Sequence, residues 1–245
     1  MSLAGRGVVV TRPRELAEPF AQLLERRGAR ALVFPVIEIQ PLPPPPQLGR
    51  VAEFDIVVFV SPSAVRVALR ALPPWPGGLA AAAIGSGTKR ELERVGIAPV
   101  IAPAAGADSE ALLAAPEMQQ VAGKRVLIVR GDGGRALLGD ALAARGARVE
   151  HAECYRRVRP PNDAAPLLAA WRRREVDAVT VLSAQALDNF VDMTGGALAA
   201  ATAHFVPHQR VAAHAQSRGV REIVIAAPGD DAMIERLVAY FDERA

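Results

Sequence analysis

The chain has 245 residues, of which 51% are hydrophobic and 22% are charged, and its formal net charge is +3. This composition excludes intrinsic disorder, and no segment reaches the roughly 20 apolar residues of a membrane-spanning helix, so we expect no membrane partner. The single cysteine, Cys154, excludes an intrachain disulfide. Residues 1–15 lack the apolar run of a signal peptide, which predicts a cytoplasmic protein.

The predicted elements alternate between strands and helices from the N-terminus onward. Residues 5–40 read as a strand, an arginine-containing turn, an amphipathic helix and a second strand. Residues 54–72 add an apolar strand, a serine turn and a helix, and residues 83–103 add a strand, a helix and another strand. Near-continuous runs of Val, Ile and Leu are typical of parallel strands that are covered on both faces, so the sequence predicts an α/β fold.

The same succession of elements then occurs a second time. Residues 123–158 repeat the pattern of residues 5–40, and both segments carry Arg-Gly-Ala-Arg before their second strand. Two further pairs follow, 54–72 with 176–193 and, more loosely, 83–103 with 205–228. Each half offers about five strands, the size of a small doubly wound unit. We therefore predict two doubly wound parallel-sheet domains.

Two proline-rich segments indicate where these domains are joined, and both lie inside a repeat. The run Pro41-Leu-Pro-Pro-Pro-Pro46 is the stronger linker signal, and Pro160-Pro161 is its counterpart. A semi-rigid linker is favoured over the alternative, a ligand for an SH3-type domain. The predicted division is 45–152 for one domain, 1–35 with 161–245 for the other, and 36–44 with 153–160 for the linkers. A hinge of this kind predicts a cleft lined by both domains.

Residues that follow the predicted strands share one chemical character. Ligands of open α/β sheets lie beyond the carboxyl ends of the strands, and every residue that we place there is a hydroxyl residue, a glycine or an arginine. They are Arg12, Ser61, Ser63, Gly85, Ser86, Thr88, Arg130, Gly131 and Ser183. Each Ser or Thr could be only a helix N-cap, and Arg130 could equally anchor its own loop. Together they predict a donor-rich surface, poor in carboxylates, for an anionic ligand.

Common cofactor and metal motifs are missing from the sequence. The glycine-rich turn at residues 131–134 matches neither usual nucleotide-binding pattern, and no lysine follows it. The sequence also lacks the spacings of Cys, His and Asp that bind zinc or calcium, so we expect neither a metal nor a cofactor. Cys154 has no obvious partner base, which argues against a nucleophile. The four histidines are interpreted as core or surface residues; they are His151, His204, His208 and His214.

One arginine-rich region raises the question of a nucleic-acid partner. It comprises Arg156, Arg157, Arg159, Arg172, Arg173 and Arg174. Single-stranded nucleic acids are bound by basic grooves interleaved with aromatic side chains, and such aromatics are lacking here. We therefore expect no nucleic acid; a solvated basic face or attraction for a small polyanion is favoured.

Several short motifs, in order and over nearly the whole chain, resemble the uroporphyrinogen-III synthase family. In the first half they are Val10-Thr11-Arg12-Pro13, Phe34-Pro35-Val36-Ile37-Glu38 and Ile84-Gly85-x-x-Thr88. In the second half they are Gly123-Lys124-Arg125-Val126-Leu127-Ile128-x-Arg130-Gly131 with Gly133-Gly134-Arg135, Glu153-Cys154-Tyr155-Arg156, Ser183, and Arg210 before Ala212-x-x-Ala215-x-x-x-Gly219. The turn Ser61-Pro62-Ser63 departs from the usual pattern, as does His208-Gln209-Arg210, which stands where the first half has Gly-Ser-Gly-Thr.

The resemblance implies two α/β domains joined by a two-stranded ladder, with the N-terminal β-α-β segment packed into the C-terminal domain. It also implies a reaction without a cofactor: hydroxymethylbilane, a linear tetrapyrrole, loses its terminal hydroxyl group and closes through a spiro-pyrrolenine with its last ring inverted. On this reading Tyr155 and Thr88 are catalytic, with Tyr155 assisting departure of the hydroxyl. The remaining strand-end residues and Arg210 bind the substrate, and we expect a monomer.

One rival interpretation uses the same donor-rich surface without catalysis. Two hinged α/β lobes could close on a small polyanion and act as a cytoplasmic binding protein or sensor. A nucleotide-dependent enzyme ranks behind both, because the phosphate-binding motifs are missing.

Overall fold

The computed structural model of the chain describes residues 3–134 and 136–244. Its strands are β1 (Gly7–Val10), β2 (Arg30–Val33), β3 (Glu38–Pro41), β4 (Ile56–Phe59), β5 (Ala80–Ala83), β6 (Val100–Ile101), β7 (Arg125–Gly131), β8 (Arg148–Val158), β9 (Ala178–Thr180), β10 (Ala203–Val206) and β11 (Ile223–Ile225). Its helices are α1 (Arg14–Arg26), α2 (Pro46–Gly49), α3 (Pro62–Ala68), α4 (Ser86–Arg94), α5 (Ser109–Leu113), α6 (Pro116–Gln119), α7 (Leu137–Ala144), α8 (Ala165–Arg172), α9 (Ala184–Thr194), α10 (Ala197–Ala201), α11 (Gln209–Ser217) and α12 (Asp230–Asp242). A 3₁₀ turn covers Val51–Glu53.

The elements form two compact units, Met1–Glu38 with Val158–Ala245, and Ile39–Arg157. In the first unit the strand order is β11-β10-β9-β1-β2, and all neighbouring strands are parallel. Helix α1 shows how the sheet is covered, because it buries Ala17, Phe20, Ala21 and Leu24 at the i, i+3, i+4, i+7 spacing of one helix face.

In the second unit the strand order is β3-β8-β7-β4-β5-β6, and the five strands from β8 to β6 are parallel. Alternation along β4 divides its side chains between the two faces of the sheet. Val57 and Phe59 belong to one core cluster, whereas Ile56 and Val58 belong to another. A sheet buried on both faces explains the continuous apolar runs, and the predicted α/β fold with parallel sheets is confirmed.

The predicted linker segments pair as strands, as the two-stranded ladder implied by the family resemblance requires. Within residues 36–44, Glu38–Pro41 forms β3, and residues 153–158 belong to the eleven-residue strand β8. The two strands are neighbours in the sheet, and the Leu42 N–H donates to the Cys154 carbonyl at 2.9 Å. This pairing extends the second unit's sheet by one edge strand, where a terminal proline is tolerated because no further strand needs its N–H. The domain boundaries themselves stay a prediction.

The strand orders bear out the predicted internal repeat. Under the sequence pairing, β1 and β2 correspond to β7 and β8, and β9, β10 and β11 correspond to β4, β5 and β6. Replacing each strand by its counterpart turns the order β11-β10-β9-β1-β2 into β6-β5-β4-β7-β8, which is the order observed in the second unit without β3. Each sheet therefore contains one β-α-β segment and three further strands, and the second sheet adds β3 at its edge.

None of the helices within residues 3–134 and 136–244 is long and apolar enough to cross a membrane.

Candidate active site

The predicted site residues of the second unit lie along one edge of its sheet. Tyr155 is near the end of β8, Gly131 ends β7, and Ser61 and Gly85 come two residues after β4 and β5. These four strands are successive neighbours in the sheet and run in the same direction. Their carboxyl ends therefore form one continuous row, the position at which open α/β sheets bind ligands.

Through its hydroxyl group, Tyr155 on β8 contacts the loop that follows β4. The side chain has no exposed surface and belongs to the same core cluster as Phe59 and Val129. Its hydroxyl oxygen lies 2.9 Å from Ser61 Oγ and accepts a hydrogen bond of 3.0 Å from Arg157 Nη2. The Arg157 guanidinium carbon also lies 5.4 Å from the centre of the phenol ring. The pattern analysis missed Arg157, although alternation along β8 places it on the same side as Tyr155.

Gly131 leaves room for the phenol ring. A Cβ atom at this position would lie 2.6 Å from Cε2 and 2.7 Å from Cζ of Tyr155, closer than real side chains approach. The next residue, Asp132, donates its backbone N–H to the Tyr155 carbonyl at 2.7 Å. The glycine is thus required for the close approach of ring and backbone, which is a different role from the predicted contact with a ligand.

Arg130 is turned onto its own loop, as the second of the two sequence interpretations proposed. Its guanidinium donates to the Gly134 carbonyl and, from Nε at 3.4 Å, to the Gly131 carbonyl, and Nε lies 3.5 Å from Glu153 Oε1. Its side chain is only 11% exposed. The loop is therefore held from inside by this arginine. Arg135, which closes the loop motif in the sequence, lies outside the described residues.

The starts of α3 and α4 supply the other predicted hydroxyl groups. Ser61 caps α3, because its Oγ accepts the Ala64 N–H at 3.0 Å. The side chains of Ser63 and Thr88 are buried, whereas Ser86, the first residue of α4, is exposed. Gly85 caps α4 where a Cβ atom would lie 2.7 Å from that of Ala107, so a larger residue would displace the neighbouring loop.

A buried carboxylate joins α3 to α4 behind these caps. Glu91 Oε1 accepts hydrogen bonds of 2.9 Å from both Arg66 and Arg94. Burial opposes ionisation of Glu91, but the hydrogen bonds and charges of Arg94 and Arg66 outweigh it and lower the pKa of the carboxyl group. An ionised Glu91 then joins the last turn of α3 to the middle of α4 through Arg66.

In the first unit, the structure brings Ser183 and Arg210 to one cavity of about 390 Å³. Ser183 caps α9 by accepting the Ala186 N–H at 3.2 Å, and His208 caps α11 by accepting the Val211 N–H at 3.4 Å. The cavity is lined by Leu182, Ser183, Ala184, His208, Arg210, Val211 and His214. Sequence reasoning missed both histidines as site residues. The internal repeat could have indicated His208, because His208 caps α11 at the position where Gly85 caps the equally long α4.

Arg12, the remaining prediction, does not line this cavity. Its guanidinium donates to Asp230 Oδ1 at 2.7 Å and lies 4.0 Å from the ring centre of Phe20, with 8% of the side chain exposed. A buried arginine of this kind compensates the charge of the neighbouring carboxylate, and loss of either partner leaves the other charge unpaired. In the repeat it corresponds to Arg130, which is also directed inward.

Neither thiol nor metal chemistry is suggested by the surrounding groups. Burial raises the pKa of the Cys154 thiol to about 11, and its Sγ faces the Arg130 carbonyl at 3.5 Å. Burial, assisted by the charge of Arg130, lowers the pKa of His151. Within the part of the chain that the structure describes, no cluster of three or more His, Cys, Asp or Glu side chains could hold a metal ion.

Comparison with known proteins gives one consistent result. The family model described as uroporphyrinogen-III synthase HemD matches residues 18–235. The chain is 39% identical over 188 residues to the uroporphyrinogen-III synthase of Escherichia coli (strain K12), covering 74% of this chain and 76% of that protein. Its identity to the uroporphyrinogen-III synthase of Proteus mirabilis is 32% over 178 residues, covering 69% of this chain and 89% of that one.

Two solved structures share the fold. A mutant uroporphyrinogen III synthase from the extremely thermophilic bacterium Thermus thermophilus gives a TM-score of 0.60 at 21% identity, covering 98% of this chain and 100% of that one. The enzyme from Helicobacter pylori 26695 gives a TM-score of 0.64 at 16% identity, covering 96% and 99%. At such identities the likeness concerns the fold, and the sequence relationship carries the assignment. The chain belongs to the uroporphyrinogen-III synthase family.

Proposed function

We propose that this chain is a uroporphyrinogen-III synthase, a lyase that cyclises hydroxymethylbilane to uroporphyrinogen III with inversion of the last pyrrole ring and loss of water. Its family membership supports this function. The structural observation that carries the proposal is the pair of hydroxyl groups of Ser61 and Tyr155, 2.9 Å apart at the ligand-binding edge of a sheet. Hydroxyl groups in that position can assist the departure of a hydroxyl group, a step that involves no redox change.

The substrate carries eight acetate and propionate carboxylates, and the donor-rich edges suit them. A hydrogen bond to a carboxylate contributes about 1.5–3 kcal/mol, so several such bonds can hold a flexible chain in one conformation. Ser61 and Ser86 are the accessible hydroxyl groups of the second unit, and Ser183 and Arg210 share a cavity in the first. We assign these four as donors to the substrate. We assign the more deeply buried members of the predicted set to holding the strand ends of their own unit in place; they are Arg12, Ser63, Gly85, Thr88, Arg130 and Gly131.

The proposed mechanism is largely one of conformational control. Loss of hydroxide from the terminal hydroxymethyl group gives an azafulvenium cation. Attack by the substituted position of the last ring forms the spiro-pyrrolenine, which fragments and closes again with that ring inverted. Direct closure without inversion competes in solution, so the protein must stabilise the spiro transition state more than the direct one. Holding the two ends of the substrate in contact accounts for much of the acceleration.

A product assay tests the proposed function. Purified protein is given freshly generated hydroxymethylbilane, and the oxidised products are separated by chromatography. We expect type III uroporphyrin to predominate without any added cofactor. The spontaneous type I isomer alone, from protein shown to be folded by circular dichroism, would reject the synthase reaction. Tyr155→Phe should lower turnover more than it weakens substrate binding, and an unchanged turnover would remove Tyr155 from the mechanism.

We also propose that the chain works as a monomer in the cytoplasm. Sedimentation equilibrium should return the mass of one chain, and cell fractionation should recover the protein with the cytosolic fraction.

A further inference from the structure

The groups around the Tyr155 hydroxyl determine which atom is the donor in each of its hydrogen bonds. A guanidinium has donors and no acceptor, so Arg157 must donate to the phenol oxygen across their 3.0 Å contact. Ser61 Oγ lies 2.9 Å from the same oxygen, and either atom could donate in that bond. If Ser61 donated, the phenol proton would have no acceptor among the contacts of the described residues, in a side chain with no exposed surface. A buried donor without a partner is costly, so Tyr155 donates to Ser61.

With Tyr155 as the donor, the hydroxyl hydrogen of Ser61 is free to bond a ligand. Its Oγ accepts the Ala64 N–H as the cap of α3, at 3.0 Å. Since it also accepts the phenol proton, both of its lone pairs are in use and its own hydrogen is left to donate. Ser61 is partly exposed, whereas Tyr155 is fully buried. Arg157, at the other end of this chain of hydrogen bonds, is exposed but keeps its protons, so Ser61 is the accessible end that can give a proton to a ligand at the sheet edge.

We propose that Ser61 is the catalytic residue that protonates the leaving hydroxyl group of the substrate, and that Tyr155 and Arg157 are positioning residues that act through it. The inference rests on the proposed synthase function and assigns the order of its proton donors. Arg157 donates to Tyr155, Tyr155 donates to Ser61, and Ser61 donates to the substrate. Arg157 is a new member of the site, and Ser61 changes from a carboxylate contact to the proton donor.

Every proton that the site gives up is returned within one turnover. The bond between the hydroxymethyl carbon and its oxygen breaks, and the electron pair leaves with the oxygen, which takes the proton of Ser61 and departs as water. Tyr155 passes its proton to Ser61, and the charge that develops on the phenol oxygen lies 3.0 Å from the donor nitrogen of the Arg157 cation. When the macrocycle closes, the attacked pyrrole carbon loses one proton, and this proton restores the phenol.

The first test separates the Ser61 hydroxyl from its role as a helix cap. Glycine at an N-cap destabilises a helix only slightly, so the main structural cost of Ser61→Gly is the phenol of Tyr155 that loses its acceptor, whereas Ser61→Thr retains the hydroxyl group. We expect Ser61→Gly to lower kcat about 100-fold with KM changed less than about threefold, and Ser61→Thr to recover most of the loss. Equal turnover of Ser61→Gly and the unchanged protein would overturn the proposal. So would a loss that Ser61→Thr does not recover, because the serine would then matter only for its shape.

The second test asks whether Arg157 acts through Tyr155. We expect Arg157→Met to lower kcat about tenfold and Arg157→Lys, which keeps a cationic donor, to lower it less. Residues of one hydrogen-bonded chain are not additive, so Tyr155→Phe combined with Arg157→Met should be hardly slower than Tyr155→Phe alone. Fully additive losses would remove Arg157 from the chain. Production of type III uroporphyrin by the unchanged protein keeps the proposed function separate from these outcomes.

Discussion

His204 provides a quantitative prediction for how acid affects the stability of the first unit. It lies in the middle of β10 without exposed surface, its Nδ1 is 2.8 Å from the Thr202 carbonyl, and its ring meets the Phe190 ring edge-on at 5.7 Å. Its Nε2 is buried and has no hydrogen-bond partner among the described residues. Burial lowers the pKa of His204 from 6.5 to about 4, although the hydrogen bond to Thr202 partly opposes the shift. The imidazole is therefore neutral in the folded chain at physiological pH.

The sign of the effect follows from which state binds the proton. As the pH falls below 6.5, the unfolded chain takes up a proton at this histidine, and the folded chain does not until about pH 4. The contribution is therefore complete above pH 6.5 and is lost as the pH falls towards 4. At 1.36 kcal/mol per pKa unit the whole shift corresponds to about 3 kcal/mol, of which about 2 kcal/mol is lost between pH 7 and pH 5.

Urea denaturation of the protein and of His204→Phe, followed by circular dichroism at pH 7 and pH 5, measures this contribution. The variant should begin about 1 kcal/mol less stable at pH 7, because the Thr202 carbonyl loses its donor. Between the two pH values it should then lose about 2 kcal/mol less than the unchanged protein, since carboxylates titrate in both. The m-values should agree, which makes the comparison one of stability alone. Equal losses in the two proteins would refute the account of a buried imidazole that stays neutral in the folded chain.

Two substitutions and one chemical modification test individual contacts. Gly131→Ala places a methyl group against the Tyr155 ring, and we expect unfolding to become easier by about 1–3 kcal/mol together with reduced turnover, measured by denaturation and the product assay. Arg12→Met leaves Asp230 without its guanidinium and should destabilise the chain by about 2 kcal/mol in the same denaturation experiment. Cys154, with its pKa raised to about 11 by burial, should react with iodoacetamide at pH 8 at least 100-fold more slowly in the folded protein than in urea.

Each of these changes has its own control or contrary result. Gly49→Ala introduces a methyl group that meets nothing within 4 Å, so it should leave turnover unchanged and should not lower stability, because alanine is the better helix former. If Gly131→Ala behaves like Gly49→Ala, the tight approach to the ring is wrong. Asp230→Asn should destabilise by a similar amount to Arg12→Met, and stability unaffected by either would dismiss the ion pair. Rapid alkylation of Cys154 in the folded protein would contradict its burial.

The sequence carried most of the information about the fold, because burial on both faces imposes apolar runs such as Ile56–Phe59 that need no knowledge of their neighbours. The repeat added the strand order, since equivalent segments form equivalent sheets. At Glu38–Pro41 and the end of β8 the local pattern gave only a linker, and the pairing of the two segments was implied by the family resemblance alone. Prolines and arginines in these segments indicate a linker, and the hydrogen bonds that make them strands join residues more than a hundred positions apart. Local pattern cannot report a partner at that distance.

Local sequence pattern was equally limited at the candidate site, but comparison of the two repeats recovers part of the missing information. Ser61 and Ser183 occupy equivalent positions and both cap a helix, so the cap alone explains the serine in each. The pairing of residues 5–40 with 123–158 aligns Tyr155 with Ile37 and Arg157 with Ile39. Two apolar residues in one copy are thus a phenol and a guanidinium in the other, where the phenol hydroxyl bonds both the guanidinium and a serine 94 positions away in the chain. Polar groups are costly to bury, so a phenol at Tyr155, where the equivalent and likewise buried Ile37 is apolar, calls for a reason other than stability. The difference between the copies, rather than the features that they share, is what points to chemistry at Ser61.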